Sequence, residues 1–244
     1  MNITNQALKR CISNEPLISV VMNCYNSESF LDEAIKSVMS QTYKNFEIIF
    51  WDNASTDKSK EIASNYAPKL QYFYGKELVP LYAARNLALD KCNGDYVAFL
   101  DCDDIWMVDK LERQVKKILG GFHIVYGGYE IIDEKGDSKG IVEKDNISGN
   151  ITNSLLRKNT ISIGSILIKK TLLEVNKFDS YYDLLGDFDL WIRLSIENEI
   201  GSIEGIVEYS REHATNTSNN LKGKWLNERR RFYRKFLSSY NFHS

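Results

Sequence analysis

Four short apolar runs mark residues 17–100, and the stretches between them carry apolar residues at helical spacing. The runs are Leu17–Met22, Phe46–Trp51, Leu70–Tyr74 and Tyr96–Leu100. Their length and their β-branched and aromatic content fit buried strands. Between the first two, residues 28–40 place Phe30, Leu31, Ala34, Ile35 and Val38 on one helical face. Thr56 and Asp57 open a second helix whose apolar side is Ile62, Ala63 and Tyr66, with Asp57 read as a helix-start residue. Residues 80–92 form a third, with Leu81, Ala84, Leu87 and Ala88 together, and Asn93-Gly94 stops it. The fourth run is continuously apolar, as interior parallel strands are. Such alternation predicts an α/β fold around a mostly parallel sheet.

The second half is less regular. Residues 122–132 and 161–168 read as strands, Asp187–Glu197 as a helix, and 133–150 as a turn-rich, charged surface excursion. Residues 1–15 are polar and form a loose lead-in without the apolar segment of a secretory leader. No apolar run approaches membrane-spanning length. A net charge of -2 argues against nucleic acid as a partner. The four cysteines, Cys11, Cys24, Cys92 and Cys102, form no CxxC pair. Zinc and disulfides are therefore not expected, and buried reduced thiols in a cytoplasmic setting are.

In open α/β sheets ligands bind beyond the carboxyl ends of the strands. The first run is followed by Asn23-Cys24-Tyr25-Asn26, the second by Asp52-Asn53-Ala54-Ser55-Thr56-Asp57, the fourth by Asp101-Cys102-Asp103-Asp104. Three carboxylates in four residues repel one another, and a divalent cation is the simplest compensation. Side chains alternate along an extended chain, so Asp101 and Asp103 face one way and Asp104 the other. Hard carboxylate oxygens suit Mg²⁺ or Mn²⁺. The competing reading of DCDD is a solvated turn, and its place at the end of a buried strand argues against that.

These segments together resemble the family 2 glycosyltransferases, which have the GT-A fold. The resemblance runs from about Leu17 to Ser218 and rests on VVMNCYNSESFLDEAIKSVMSQTYKNFEIIFWDNASTD, AARNLALDKCNGDYVAFLDCDDIW and GDFDLWIRL, in that order. It implies a glycosyltransferase domain over 16–220. Residues 16–105 would be its nucleotide-sugar-binding half and 106–220 its acceptor and catalytic half. It implies that Tyr25, Asn26 and Glu28 line a nucleotide pocket, that Asp52 and Asn53 meet the nucleobase, and that Arg85 lies close to the nucleotide. Many relatives carry a second Asp where this chain has Asn53. Asp101 and Asp103 would be the DxD pair that holds metal and donor, the metal being Mn²⁺ or Mg²⁺. Tyr25 could instead be packing, and Arg85 an exposed helix residue paired with a neighbouring acid.

Inverting sugar transfer needs a base for the acceptor hydroxyl. The resemblance assigns it to Asp187, in Gly186-Asp187-Phe188-Asp189-Leu190-Trp191, where Gly186 replaces the usual acidic neighbour. Asp187 also stands where a helix cap would stand. Asp189 reads as a first-turn helix residue and Trp191 as core. Arg211 and His213 match an Arg-x-His on a loop over the donor, where Arg211 would meet the donor and His213 the metal or phosphate. The implied activity is transfer from a nucleoside-diphosphate sugar, UDP-sugar favoured, to a glycan or lipid-linked acceptor in surface polysaccharide synthesis.

Residues 221–244 form a basic amphipathic helix. It could rest peripherally on the anionic inner membrane face or pack its apolar side on the domain; packing is the favoured reading. Two other functions compete. A nucleotidyltransferase would need a Gly- and Lys-bearing phosphate loop, and Asn23–Glu28 has neither. A non-catalytic sugar-nucleotide-binding protein would tolerate loss of Asp187. A dinucleotide oxidoreductase is excluded because no GxGxxG follows the first strand.

Overall fold

The protein is described by a computed structural model covering residues 15–142, 147–214, 216 and 221–239. The lead-in expected over 1–15 lies outside the described residues except for Glu15. So do Cys11, positions 215, 217 and 218 of the His213 loop, and the expected helix beyond 239.

The first half alternates as the periodicity predicts. Strands β1 (Ile18–Cys24), β2 (Phe46–Asp52), β3 (Leu70–Tyr74) and β4 (Tyr96–Phe99) alternate with helices α1 (Leu31–Met39), α2 (Ser59–Ser64) and α3 (Leu81–Leu89). β1 pairs in parallel with β2 and with β4, and β2 with β3. The chain therefore builds outward from β1 on one side and then returns to its other side, so the order reverses between β1 and β4. Such a switch point opens a crevice at the strand ends.

β5 (Ile105–Trp106), β6 (Ile124–Ile132), β7 (Ser138–Val142), β8 (Ile166–Lys169) and β9 (Ile200–Arg211) complete one nine-stranded sheet. Its order is β3-β2-β1-β4-β8-β6-β9-β5, with β7 paired to β6. β4–β8, β6–β8 and β5–β9 are antiparallel, while β6–β9 is parallel. The helices of this half are α4 (Lys110–Leu119), α5 (Thr152–Arg157), α6 (Lys170–Val175), α7 (Gly186–Glu197) and α8 (Trp225–Ser239).

Both faces of the sheet are covered at β1, which is why every β1 residue but the half-buried Asn23 is buried. Ile18, Val20 and Met22 meet Leu31, Ala34 and Ile35 of α1 on one face. Val21 points to the other, where Ala84 and Ala88 of α3, Leu190 and Trp191 of α7, and Phe232 and Phe236 of α8 gather. Trp191 is thus core, as read from the sequence.

Three expectations change. The strand expected at 161–168 begins only at Ile166, because residues Ile163–Ser165 form a 3₁₀ turn. The Ser162 hydroxyl accepts the Gly164 N–H and caps that turn. The excursion at 133–150 contains β7, an antiparallel hairpin partner of β6 with an irregularity between Ile131 and Ile132. The second helix starts at Ser59 rather than at Thr56, with the Asp57 carboxylate accepting the Ser59 N–H at 3.0 Å.

Candidate active site

The crevice is lined by the ends of β1, β2 and β4. Asn26 adopts a left-handed φ of 51°, a conformation Asn tolerates. Its N–H donates to Ser55 Oγ at 3.0 Å, and its Oδ1 accepts the Thr56 N–H at 2.8 Å. Glu28 and Asp57 exchange contacts: Glu28 N–H donates to Asp57 Oδ2, and Glu28 Oε2 accepts the Lys58 N–H. These contacts fix the β1 and β2 loops to each other. Tyr25 stands exposed at the rim.

Asp52 is buried and accepts the Tyr72 hydroxyl at 2.5 Å and the Ser55 N–H at 2.8 Å. Asn53 makes a two-point pair with the Val79 backbone, donating to its carbonyl at 2.8 Å and accepting its N–H at 3.2 Å. The Asn53 amide thereby holds the loop that leads into α3. An Asp here could accept the Val79 N–H but could not donate to the carbonyl.

Arg85 projects from α3 and is only 3% exposed. It donates to Asp101 Oδ1 at 2.6 Å, and its guanidinium lies 5.4 Å from the Tyr82 ring centre. Arg85 is thus buried and paired with a carboxylate of the strand end, rather than exposed. The Tyr82 hydroxyl in turn donates to Asp187 Oδ1 at 3.3 Å. Asp101, Arg85, Tyr82 and Asp187, from three separate elements, form one contiguous cluster.

Asp187 lies in the first turn of α7, and its Oδ1 also accepts the Phe188 N–H at 2.7 Å. Burial raises its pKa above the ordinary aspartate value, against the opposing pull of Arg85. Burial dominates over the helix terminus, so the carboxylate is a stronger base than an exposed Asp. Gly186 is required beside it: a Cβ there would lie 2.6 Å from Cδ2 and Cε2 of Tyr82. The acidic neighbour of the resembled family has no space in this chain.

Asp103 stands beside Asp101 and is bonded from the far side. His213 Nε2 lies 2.8 Å from Asp103 Oδ2, and Asn216 donates to the same oxygen at 3.1 Å. Burial, then the charge of Asp101, raises the Asp103 pKa. Asp101 Oδ2 and Asp103 Oδ1 receive no hydrogen bond from another described side chain. Two hard oxygens in mutual repulsion fit a divalent cation. Among the described residues no group of three or more His, Cys, Asp or Glu is gathered on one point. Phosphate oxygens or water would have to supply the remaining ligands, as is usual for Mg²⁺.

Arg211 is buried, and its guanidinium is occupied by protein groups. It donates to Glu33 Oε2 at 2.6 Å, to the Asp103 carbonyl at 2.9 Å, and to the carbonyls of Asp133 and Glu134. Its N–H donates to Asp104 Oδ1 at 2.7 Å. Arg211 therefore braces the Asp101–Asp104 turn against α1 and the β6–β7 hairpin.

Glu208, Lys110 and Glu228 escaped sequence reasoning, which reached only Asp104 of this group, as facing away from Asp101 and Asp103. Asp104 and Glu208 are buried behind the turn, and burial raises both carboxyls. Ser162 donates to Glu208 Oε1 at 3.0 Å, and Lys110 nearby is pushed down to about 7 by burial. Glu228 of α8 accepts the N–H groups of Asp183, Leu184 and Leu185 at 2.9, 3.0 and 3.0 Å. It caps, from a distant helix, the segment that enters α7. Glu208 and Glu228 have no local signal, because each of these partners is more than 40 residues away.

An uncharacterized glycosyltransferase of Rickettsia typhi is 33% identical over 216 residues, 84% of this chain and 66% of that protein. The Escherichia coli UDP-Glc:alpha-D-GlcNAc-diphosphoundecaprenol beta-1,3-glucosyltransferase WfgD is 33% identical over 84% of this chain and 81% of its own. The chain spans just under two thirds of the Rickettsia typhi relative and 34% of a related one from Rickettsia conorii. Among solved structures, Staphylococcus aureus TarS 1-349 in complex with UDP matches with a TM-score of 0.66 at 20% identity, over 80% of this chain and 60% of that one. A Pyrobaculum calidifontis mannosyltransferase in complex with GDP-Man and Mn²⁺ matches at 0.61 and 18% identity, over 84% and 59%. These two likenesses establish the GT-A fold. The family model for glycosyl transferase family 2 matches residues 19–171, more than half of the sequence, and this chain belongs to that family.

Proposed function

We propose that the chain transfers a sugar, with inversion, from a UDP-sugar to a hydroxyl of a glycan or lipid-linked acceptor in surface polysaccharide synthesis. The observation that carries this reading is the cluster joining Asp187 to Asp101 through Tyr82 and Arg85. It puts a carboxylate of raised basicity within one interaction network of the strand-end carboxylates.

Asp187 accepts the proton of the acceptor hydroxyl as that oxygen attacks the anomeric carbon. Tyr82 orients the Asp187 carboxylate, and Arg85 lends positive charge between the two acids. Asp101 and Asp103 would face the donor's diphosphate end across a cation, with His213 fixing Asp103. Asp101 and Asp103 would hold that Mn²⁺ or Mg²⁺, whose positive charge would offset the charge on the departing nucleoside diphosphate. Tyr25, Asn26, Glu28, Asp52 and Asn53 shape the nucleoside pocket, mostly through the loops they hold. Arg211 serves the donor indirectly, by fixing the turn that carries Asp103.

WfgD, by its name, uses UDP-Glc and a diphosphoundecaprenol-linked sugar. Its likeness to this chain supports a UDP donor and a lipid-linked acceptor; the proposed place of reaction is the cytoplasmic side of the inner membrane. The Mn²⁺ of the Pyrobaculum enzyme supports the cofactor. The test is nucleotide release from UDP-, GDP- and dTDP-sugars with and without Mn²⁺, with a set of glycan acceptors. Asp187→Asn is expected to keep donor binding and lose transfer by roughly 100- to 10,000-fold. An unchanged transfer rate removes Asp187 from the reaction.

A further inference from the structure

The basic C-terminal helix has two faces that the structure separates. Phe232 and Phe236 are buried in the core, and Glu228, 8% exposed, is turned inward onto the 183–185 backbone. Phe188 packs at a tilt against Phe232 with ring centres 4.8 Å apart. Lys235 pairs with Asp179 and Asp189, and Arg231 lies over the Tyr181 ring. Inward packing therefore uses the phenylalanines, the glutamate and part of the basic set.

The opposite face remains outward. Leu226, Arg230 and Arg234 follow one another at four-residue spacing, and Arg229 and Leu237 fall on the same side. All five are exposed, with Leu226 at 59% and Leu237 at 62%, and Trp225 joins them at the helix start at 41%. Arg229, Arg230 and Arg234 pair with no carboxylate among the described residues. The helix has a single acid, Glu228, and its inward turn leaves the outer face wholly cationic.

We propose that this outer face of α8 binds an anionic lipid bilayer surface, with Arg229, Arg230 and Arg234 at the headgroups and Trp225, Leu226 and Leu237 inserted between them. Charge complementarity carries the choice of occupant. Three unpaired arginines flanked by exposed leucines match a plane of phosphate headgroups above hydrocarbon. Packing and membrane contact are then simultaneous properties of one helix. The proposal stands apart from the assignment of the catalytic residues. It also has a consequence for them: the helix that meets the membrane is the one whose Glu228 holds the entry to the Asp187 helix.

The test is co-sedimentation of the full chain with vesicles of phosphatidylcholine alone and with phosphatidylglycerol added. Binding is expected only to the anionic vesicles, and it is expected to weaken as salt rises. The variant Arg229→Glu/Arg230→Glu/Arg234→Glu should lose about 100-fold in vesicle affinity or more, at roughly five-fold per arginine removed, with its thermal midpoint and its donor hydrolysis unchanged. Leu226→Ser/Leu237→Ser should weaken binding and leave the salt dependence in place. The proposal is overturned if anionic vesicles are not bound, if both vesicle types bind alike, or if the triple variant binds as well as the parent. It is equally overturned if the face captures an oligonucleotide and not vesicles. Should the triple variant unfold, the salt titration of the parent decides: binding indifferent to salt overturns the proposal.

Discussion

The ring of Tyr82 lies against Gly186 so closely that a Cβ at position 186 would fall 2.6 Å from two of its carbons, while its hydroxyl donates to the adjacent Asp187. Tyr82 is 2% exposed and stacked on Phe178, so it has nowhere to retreat. Gly186→Ala is therefore expected to destabilise the fold by about 1–3 kcal/mol through overpacking. Chemical denaturation measures it, and combining it with Tyr82→Ala should give a smaller loss than the two single effects summed.

The pH dependence follows from Asp187. Its carboxyl is raised by burial and pulled back by Arg85. A base must be ionised, so activity should fall as pH drops through that raised pKa, at higher pH than an ordinary aspartate gives. Arg85→Met removes the opposing charge, and the acid limb of kcat/KM should then move to still higher pH. A limb that stays in place would separate Arg85 from Asp187.

Glu228 offers a third test. Three backbone N–H groups converge on its buried carboxylate. Glu228→Ala should cost about 2 kcal/mol or more of stability, since hydrogen bonds to charged groups are among the stronger ones. It should also lower the transfer rate more than it weakens UDP binding, because its contacts lead into α7 and not to the β1 and β2 loops. Denaturation and calorimetry distinguish these effects.

How much of this could be read beforehand depends on how local the signal is. β1, β2 and β4 were legible because each is a short apolar run with polar residues at its end, and the DCDD turn follows from chain position alone. The twelve-residue β9 was not: IGSIEGIVEYSR mixes glycines and acids that make sense only against β6, some 75 residues away in sequence. With β9 unread, the buried Glu208 and the bracing contacts of Arg211 were out of reach. The Tyr82–Gly186 contact joins residues 104 apart, and the departure at Gly186 was visible without its reason. Asn53 follows β2 by chain position alone, but its pairing with Val79 depends on a turn that periodicity does not describe.

The proposed transfer requires Asp101 and Asp103 to act with a divalent ion on the donor's diphosphate. Titration calorimetry of UDP into the protein tests this directly, with and without Mn²⁺, for the parent and for Asp103→Asn. Mn²⁺ should strengthen UDP binding to the parent by roughly ten-fold or more, about 1.4 kcal/mol, and should do nothing for the variant. Equal strengthening of both proteins, or none in the parent, would contradict it.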